Sequence, residues 1–218
     1  MKPDFWKERW TTNQIGFHEG RPNEHLTRYW DTLGVASGGR AFVPLCGKSR
    51  DLAWLAGRGH SVLGVELSEI AVRDFFAEAG VTPTREQRDG FEISKAGDIE
   101  IWCGDFFTLE PRHLDGIVAV YDRAALVAMP PDMQPAYATK MLEIVPKTAP
   151  TLLVTLEYDQ REMTGPPFSV PVSRVRELFG NHCAITELER QDVVQSHTNL
   201  AVRGLKRADT LTMRLVRR

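Results

Sequence analysis

RAFVPLCGKSRDLAWLAGRGHSVLGVELS, from Arg40 to Ser68, decides the fold. It reads as strand, turn, helix, strand, and then an acidic residue at the second strand's end. Ala41–Leu45 is a short apolar run that stops at Cys46-Gly47. Between Asp51 and Arg58, Leu52, Leu55 and Ala56 fall on one helical face. Gly59 ends that helix. Ser61–Val65 is a second apolar run, and Glu66 closes it. This is the front half of a nucleotide-binding α/β fold. A carboxylate about 20 residues past the first glycine turn can accept hydrogen bonds from both ribose hydroxyls.

The turn itself excludes two common relatives. A dinucleotide fold wants G-x-G-x-x-G, and Gly47 is followed directly by Lys48. Gly47-Lys48-Ser49 imitates the end of a phosphate-binding loop, but Phe42 stands where that loop needs its first glycine. Nothing else in the turn gathers backbone N–H groups for a pyrophosphate. An adenosine cofactor without phosphates fits better, and S-adenosylmethionine leads. The plainer alternative is an ordinary βαβ unit with an incidental Glu66.

The rest of the chain extends the pattern. Ser68 caps a helix with Val72, Phe75, Phe76 and Ala79 on one face, stopped by Gly80. Phe91–Ser94 and Ile99–Cys103 flank a turn-like Lys95-Ala96-Gly97-Asp98 and read as a hairpin. Gly116–Tyr121 and Leu152–Leu156 are further strands, with a helix opened by Pro130-Pro131-Asp132 between them. Pro171 opens a short helix to Phe179. Ile185–Leu188 and Thr210–Val216 read as a closing antiparallel pair. The expected fold is α/β and doubly wound, with a mainly parallel seven-stranded sheet and the ligand at the strands' carboxyl ends. One domain is expected over 1–218: an N-terminal extension at 1–39 and a Rossmann-like core at 40–218.

Three strand ends carry candidate site residues. Backbone groups at Leu45 and Cys46 can approach the amino-acid half of the cofactor. Asp105 can accept from an adenine amino group with Phe106 beside the ring, or can simply cap a turn. Arg123 stays charged and can donate to a cofactor carboxylate or to a thiolate. Its bland reading is an ion pair with Asp122, weakened because adjacent strand residues point to opposite faces. Outside the sheet, Trp6, Trp10, Phe17, Tyr29 and Trp30 crowd the first forty residues. Trp6 and Trp10, four apart, share a helical face. They suit either a lid over a sulfonium cation, attracted by about 0.5–2 kcal/mol, or plain packing on the sheet.

Composition bounds the function. The chain has 218 residues, 42% hydrophobic, with net charge −2. That is one good core and no electrostatic footprint for nucleic acid. Basic residues near the end, Arg203 to Arg218, alternate with apolar ones as on a solvated strand face. Met1-Lys2-Pro3-Asp4 opens no signal peptide, and no apolar run approaches membrane-spanning length. Cys46, Cys103 and Cys183 read as reduced thiols, and they fit a cytoplasmic protein; a monomer is expected. The six histidines lack metal-ligand spacing, and no metal is expected.

Val43-Pro44-Leu45-Cys46-Gly47-Lys48-Ser49 with Asp51, Trp54-Leu55 and Gly59, then Gly64-Val65-Glu66-Leu67-Ser68, resembles the thiopurine S-methyltransferase family. Phe5-Trp6 to Trp10 with Gly16-Phe17-His18, Tyr121 to Ala128, and Gly165-Pro166-Pro167-Phe168 with Leu178-Phe179-Gly180 agree with it. The match is weak after Gly180, where Arg203 and His197 are only guesses for the acceptor site. The resemblance implies a class I methyltransferase using S-adenosylmethionine, with an aromatic N-terminal lid. It implies Trp10, Glu66, Gly104, Asp105 and Arg123 at the cofactor, with Phe17 and Arg123 at the acceptor. Trp6, Leu45, Gly47 and Leu67 complete the expected cofactor set.

The chemistry follows from that reading. A sulfonium methyl is already activated, so the enzyme must align a sulfur nucleophile and exclude water. An aromatic thiol ionises near neutral pH without a strong base, and Arg123 acts electrostatically. The expected reaction is S-methylation of small aromatic or heterocyclic thiols. Some bacterial relatives are associated with selenium or tellurium species. The rivals are an S-adenosylmethionine sensor without turnover, a nicotinamide-dependent oxidoreductase, and a methyltransferase with an oxygen or nitrogen acceptor.

Overall fold

The computed structural model describes residues 3–16, 18–194, 200 and 202–218. Phe17 and His197 lie outside the described residues.

The sheet is built outward from Arg40–Val43 (β1), which pairs in parallel with Ser61–Glu66 (β2) and Ile117–Arg123 (β6). Ile99–Cys103 (β5) adds beside β2 and Thr151–Glu157 (β7) beside β6, both parallel. Cys183–Asp192 (β8) and Asp209–Arg217 (β9) close one side antiparallel, with β9 on β7. Phe91–Ala96 (β4) pairs antiparallel with β5, the hairpin the sequence implies. Thr84–Arg88 (β3), which the sequence did not suggest, adds beyond β4 and brings the sheet to nine, in the order β3-β4-β5-β2-β1-β6-β7-β9-β8. The extra strand escapes a hydrophobicity reading because Thr-Arg-Glu-Gln-Arg is exposed at every position. A short, charged outer strand is how a sheet edge resists pairing with another chain.

Period-two alternation sorts the sheet residues onto two cores. Ala41, Val43, Val62, Ala119 and Tyr121 face the helices Glu24–Tyr29 (α2), Asp51–Gly57 (α3) and Glu69–Glu78 (α4). Phe42, Leu63, Val120 and Leu153 face Gln134–Ile144 (α5) and Val172–Phe179 (α6). The hydroxyl of Ser68 accepts from Ala71 N and caps α4, as expected, a bond worth about 1 kcal/mol.

The N-terminal segment is outside the sheet. Pro3–Thr11 (α1) lies against α4, with Trp10 buried and Trp6 half-buried. Trp6 meets Phe5 edge to face at 5.3 Å. Buried His25 pins α2 to the far edge of the sheet: its Nδ1 lies 2.9 Å from Thr212 Oγ1 and 3.0 Å from Glu189 Oε2. No helix among the described residues is long and apolar enough to cross a membrane.

Candidate active site

The five parallel strands end on the same side of the sheet, and left-handed backbone occurs beyond two of their tips. At the tip of β1, Leu45 has φ 47° and Gly47 φ 54°; past the tip of β6, Ala124 has φ 62°. A non-glycine residue in the left-handed region costs about 1–2 kcal/mol, and such strain concentrates at functional sites. The strain at Leu45 is held by two bonds. Cys46 N donates to Val65 O at 2.9 Å, and Gly47 N donates to Glu66 Oε2 at 2.8 Å.

Glu66 is the organising group. Its other oxygen accepts from Ser68 N at 2.8 Å, so one buried carboxylate ties the β1 turn to the start of α4. The Leu67 N–H also stabilises the carboxylate. Burial pushes the carboxyl up from 4.5, while the Ser68 and Gly47 N–H bonds pull the other way. Leu67 is half-buried beside it. Gly104 continues the same surface from β5, its N–H donating to Glu66 O at 2.9 Å. A Cβ at Gly104 would lie 2.4 Å from the Phe91 ring, so no side chain fits there.

Asp105 is a turn cap. Its Oδ1 accepts from Phe107 N at 2.9 Å, opening the 3-10 turn Phe106–Thr108. Phe106 is not free to flank a ligand ring: it is buried and stacks on Tyr137 at 5.0 Å. The half-buried neighbour is Phe107. The side chains of 105 and 106 alternate about the turn, which spacing alone does not resolve.

Asp122 and Arg123 diverge, as strand geometry requires. Asp122 turns into the core on the α5 side, accepting from Tyr137 Oη at 2.8 Å and Leu126 N at 3.2 Å. Burial raises its carboxyl from 3.8 to about 6. Arg123 turns the other way and pairs with Glu19 of the N-terminal segment. Glu19 also accepts from Asn23 Nδ2 at 3.1 Å, and Asn23 N donates to the buried Asp51 carboxylate at 2.7 Å. Burial pushes Asp51 up, opposed by the Asn23 bond and by Arg123. Tyr121 completes the group; burial first, then the charge of Asp51, holds its phenol protonated.

Glu19, Asn23 and Tyr121 were not legible as site residues. Glu19 lies in an irregular loop, and only the fold brings it to Arg123. Lys48 and Arg50 both pair with Glu78 of α4, at 2.6 and 3.4 Å. Burial, then Lys48, holds the half-buried His18 imidazole below 6.5, despite Glu78. Arg203 Nη1 donates to Pro166 O at 2.9 Å, and Phe168 N donates to Val127 O at 2.7 Å. The Gly165–Phe168 loop is thereby tied beside the turn that follows β6.

The described residues hold no group of side chains suited to a metal. The cysteines are free thiols, with Cys46 buried and raised by burial, and Cys103 pushed up to about 12, first by burial. Neither is a ready nucleophile.

Known proteins resemble this chain along its whole length. The profile of the family described as thiopurine S-methyltransferase (TPMT) matches residues 1–218. A thiopurine S-methyltransferase of Azotobacter vinelandii is 47% identical over 218 residues, covering 100% of both chains. One from Pseudomonas paraeruginosa is 50% identical over 205 residues, covering 94% of each. Among solved structures, a 1,6-didemethyltoxoflavin-N1-methyltransferase of Burkholderia thailandensis, bound to S-adenosylhomocysteine, superposes with TM-score 0.64 at 16% identity, covering 98% of this chain and 87% of that one. A TehB-like SAM-dependent methyltransferase of Corynebacterium glutamicum gives 0.60 at 11% identity, covering 99% and 98%. At those identities the likeness is one of fold.

Proposed function

Since the chain belongs to the thiopurine S-methyltransferase family, we propose that it transfers a methyl group from S-adenosylmethionine to the sulfur of a small aromatic or heterocyclic thiol, at the carboxyl ends of β1, β2, β5 and β6. The observation that carries the thiol reading is Arg123 at the tip of β6, a fixed cation with no nucleophile–base pair described around it. Thiols that ionise readily need a charge to receive them rather than a base.

The residues present fit the cofactor. The buried Glu66 carboxylate at the end of β2 suits ribose hydroxyls, and the Gly104 backbone continues that surface from the end of β5. Leu45, Gly47 and Leu67 supply backbone and apolar surface around Glu66. When bound, S-adenosylmethionine supplies an activated methyl on a sulfonium centre.

The chain's own residues do the rest. The charge of Arg123 favours thiolate over thiol and orients the acceptor. The thiol proton leaves to water before transfer. Trp10 and Trp6, on α1, belong to a lid that excludes water and offers aromatic faces to a cation. Asp105 contributes through its backbone, with one carboxylate oxygen engaged in the turn. The protein works as a monomer in the cytoplasm.

A matched set of thiophenol, phenol and aniline tests the acceptor, with S-adenosylhomocysteine release as the readout. Thiophenol alone should be methylated at an appreciable rate. Preference for phenol or aniline would refute the thiol reading.

A further inference from the structure

Arg123 is not a naked charge. Its partner, Glu19, is held in place from behind: Asn23 Nδ2 binds the Glu19 carboxylate, Asn23 Oδ1 caps α2 by accepting from His25 N at 3.0 Å, and Asn23 N is fixed on Asp51. His25 anchors α2 to β9. A carboxylate clamped in this way is built structure rather than a loop end that happens to reach an arginine. The guanidinium and carboxylate are about a fifth to a quarter exposed, at 19% and 27%, so the pair meets the same solvent an acceptor must enter.

Resting on the thiol-methylation reading, we propose that Glu19 is a positioning residue that tempers the charge of Arg123 and so restricts the enzyme to thiols acidic enough to ionise largely unaided. The other charges near this point do not replace it. Lys48 and Arg50 are met by Glu78; the buried Asp51, held by Asn23, also feels the Arg123 charge, but Glu19 is the carboxylate in direct ion-pair contact with it. An opposite charge within about 4–6 Å changes a group's ionisation by tenfold or more. With Glu19 in place, Arg123 gives an incoming thiol only part of that help. A thiol already ionised in water needs only a charge to receive it and no help in losing its proton, whereas an alkyl thiol stays largely protonated and reacts slowly.

The test compares kcat/KM for 4-nitrothiophenol, strongly acidic, with that for benzyl mercaptan, weakly acidic, at saturating S-adenosylmethionine. In Glu19→Gln, which keeps shape but loses charge, the ratio of benzyl mercaptan to 4-nitrothiophenol should rise about tenfold. Glu19→Asp, which keeps the charge, should stay close to wild type. An unchanged ratio in Glu19→Gln would overturn the proposal, leaving Glu19 a purely structural clamp. A fall in the ratio would overturn it too, by making Glu19 the acceptor of the thiol proton. Equal shifts in the Gln and Asp variants would assign the effect to shape rather than charge. A wild-type enzyme that methylates neither thiol would refute the functional reading itself, which is a separate failure.

Discussion

Replacing Glu66 by glutamine perturbs two things at once, and the structure separates them. The carboxylate accepts from Gly47 N and Ser68 N, both at 2.8 Å, one on each oxygen. A glutamine keeps one oxygen and turns an NH2 toward the other N–H, so one buried donor loses its acceptor. That costs about 1–3 kcal/mol. Burial already opposes ionisation of Glu66, and removing the charge refunds part of that loss. A net loss of about 1 kcal/mol lowers Tm by about 2–4 °C in a chain of this size. The cofactor meets a larger loss, because two ribose hydroxyls exchange a charged acceptor for a neutral one. At about 1.5–3 kcal/mol this is roughly ten- to a hundredfold in Kd. Isothermal titration with S-adenosylhomocysteine and scanning calorimetry read the two effects independently. A Kd within a factor of two of wild type, beside a lowered Tm, would make Glu66 a strut between the β1 and β2 tips and remove it from the ribose site.

Three further outcomes are expected. At saturating cofactor, Arg123→Lys should retain part of the activity, while Arg123→Ala should lose most of it and lose more on a weakly acidic thiol than on a strongly acidic one; equal losses on both thiols would leave Arg123 as a positioning group. If α1 is a lid, adding S-adenosylhomocysteine should slow hydrogen exchange over residues 4–16 and change tryptophan fluorescence; identical exchange with and without ligand would make α1 ordinary packing. Asp122 is buried with its carboxyl raised from 3.8 to about 6, so between those values the folded protein binds the extra proton. Stability should therefore fall as pH rises through that window and level off above it, by up to about 3 kcal/mol. Asp122→Asn should flatten this slope in urea titrations at pH 4, 5, 6 and 7, and an unaltered slope would show that another group is responsible.

The fold was legible wherever a face is buried. Phe42 and Leu63 on one side, Ala41 and Val62 on the other, write the two cores directly into the alternation of β1 and β2. Glycine and serine marked the ends of α3 and α4. β3 was invisible because an exposed edge strand carries no apolar signal. In the site, Glu66 could be placed from spacing, since a strand end is fixed by its own sequence. The separation of Asp122 from Arg123 followed from strand geometry in the same way. Phe106 was misplaced because the direction of a side chain after a turn depends on the cap, here Asp105, and not on periodicity. Glu19 was out of reach for a deeper reason. Its meeting with Arg123 spans 104 residues and needs α2 to be pinned by His25, Asn23 and Asp51, none of which forms a local motif.

The most direct test of the account is turnover itself, followed with S-adenosylmethionine carrying a deuterated methyl group and thiophenol as acceptor. Mass spectrometry should find deuteriomethyl phenyl sulfide and S-adenosylhomocysteine in equal amounts, with the sulfide lost when Arg123 is replaced by alanine. Tight binding of the cofactor with no labelled sulfide from any small aromatic thiol would contradict the account.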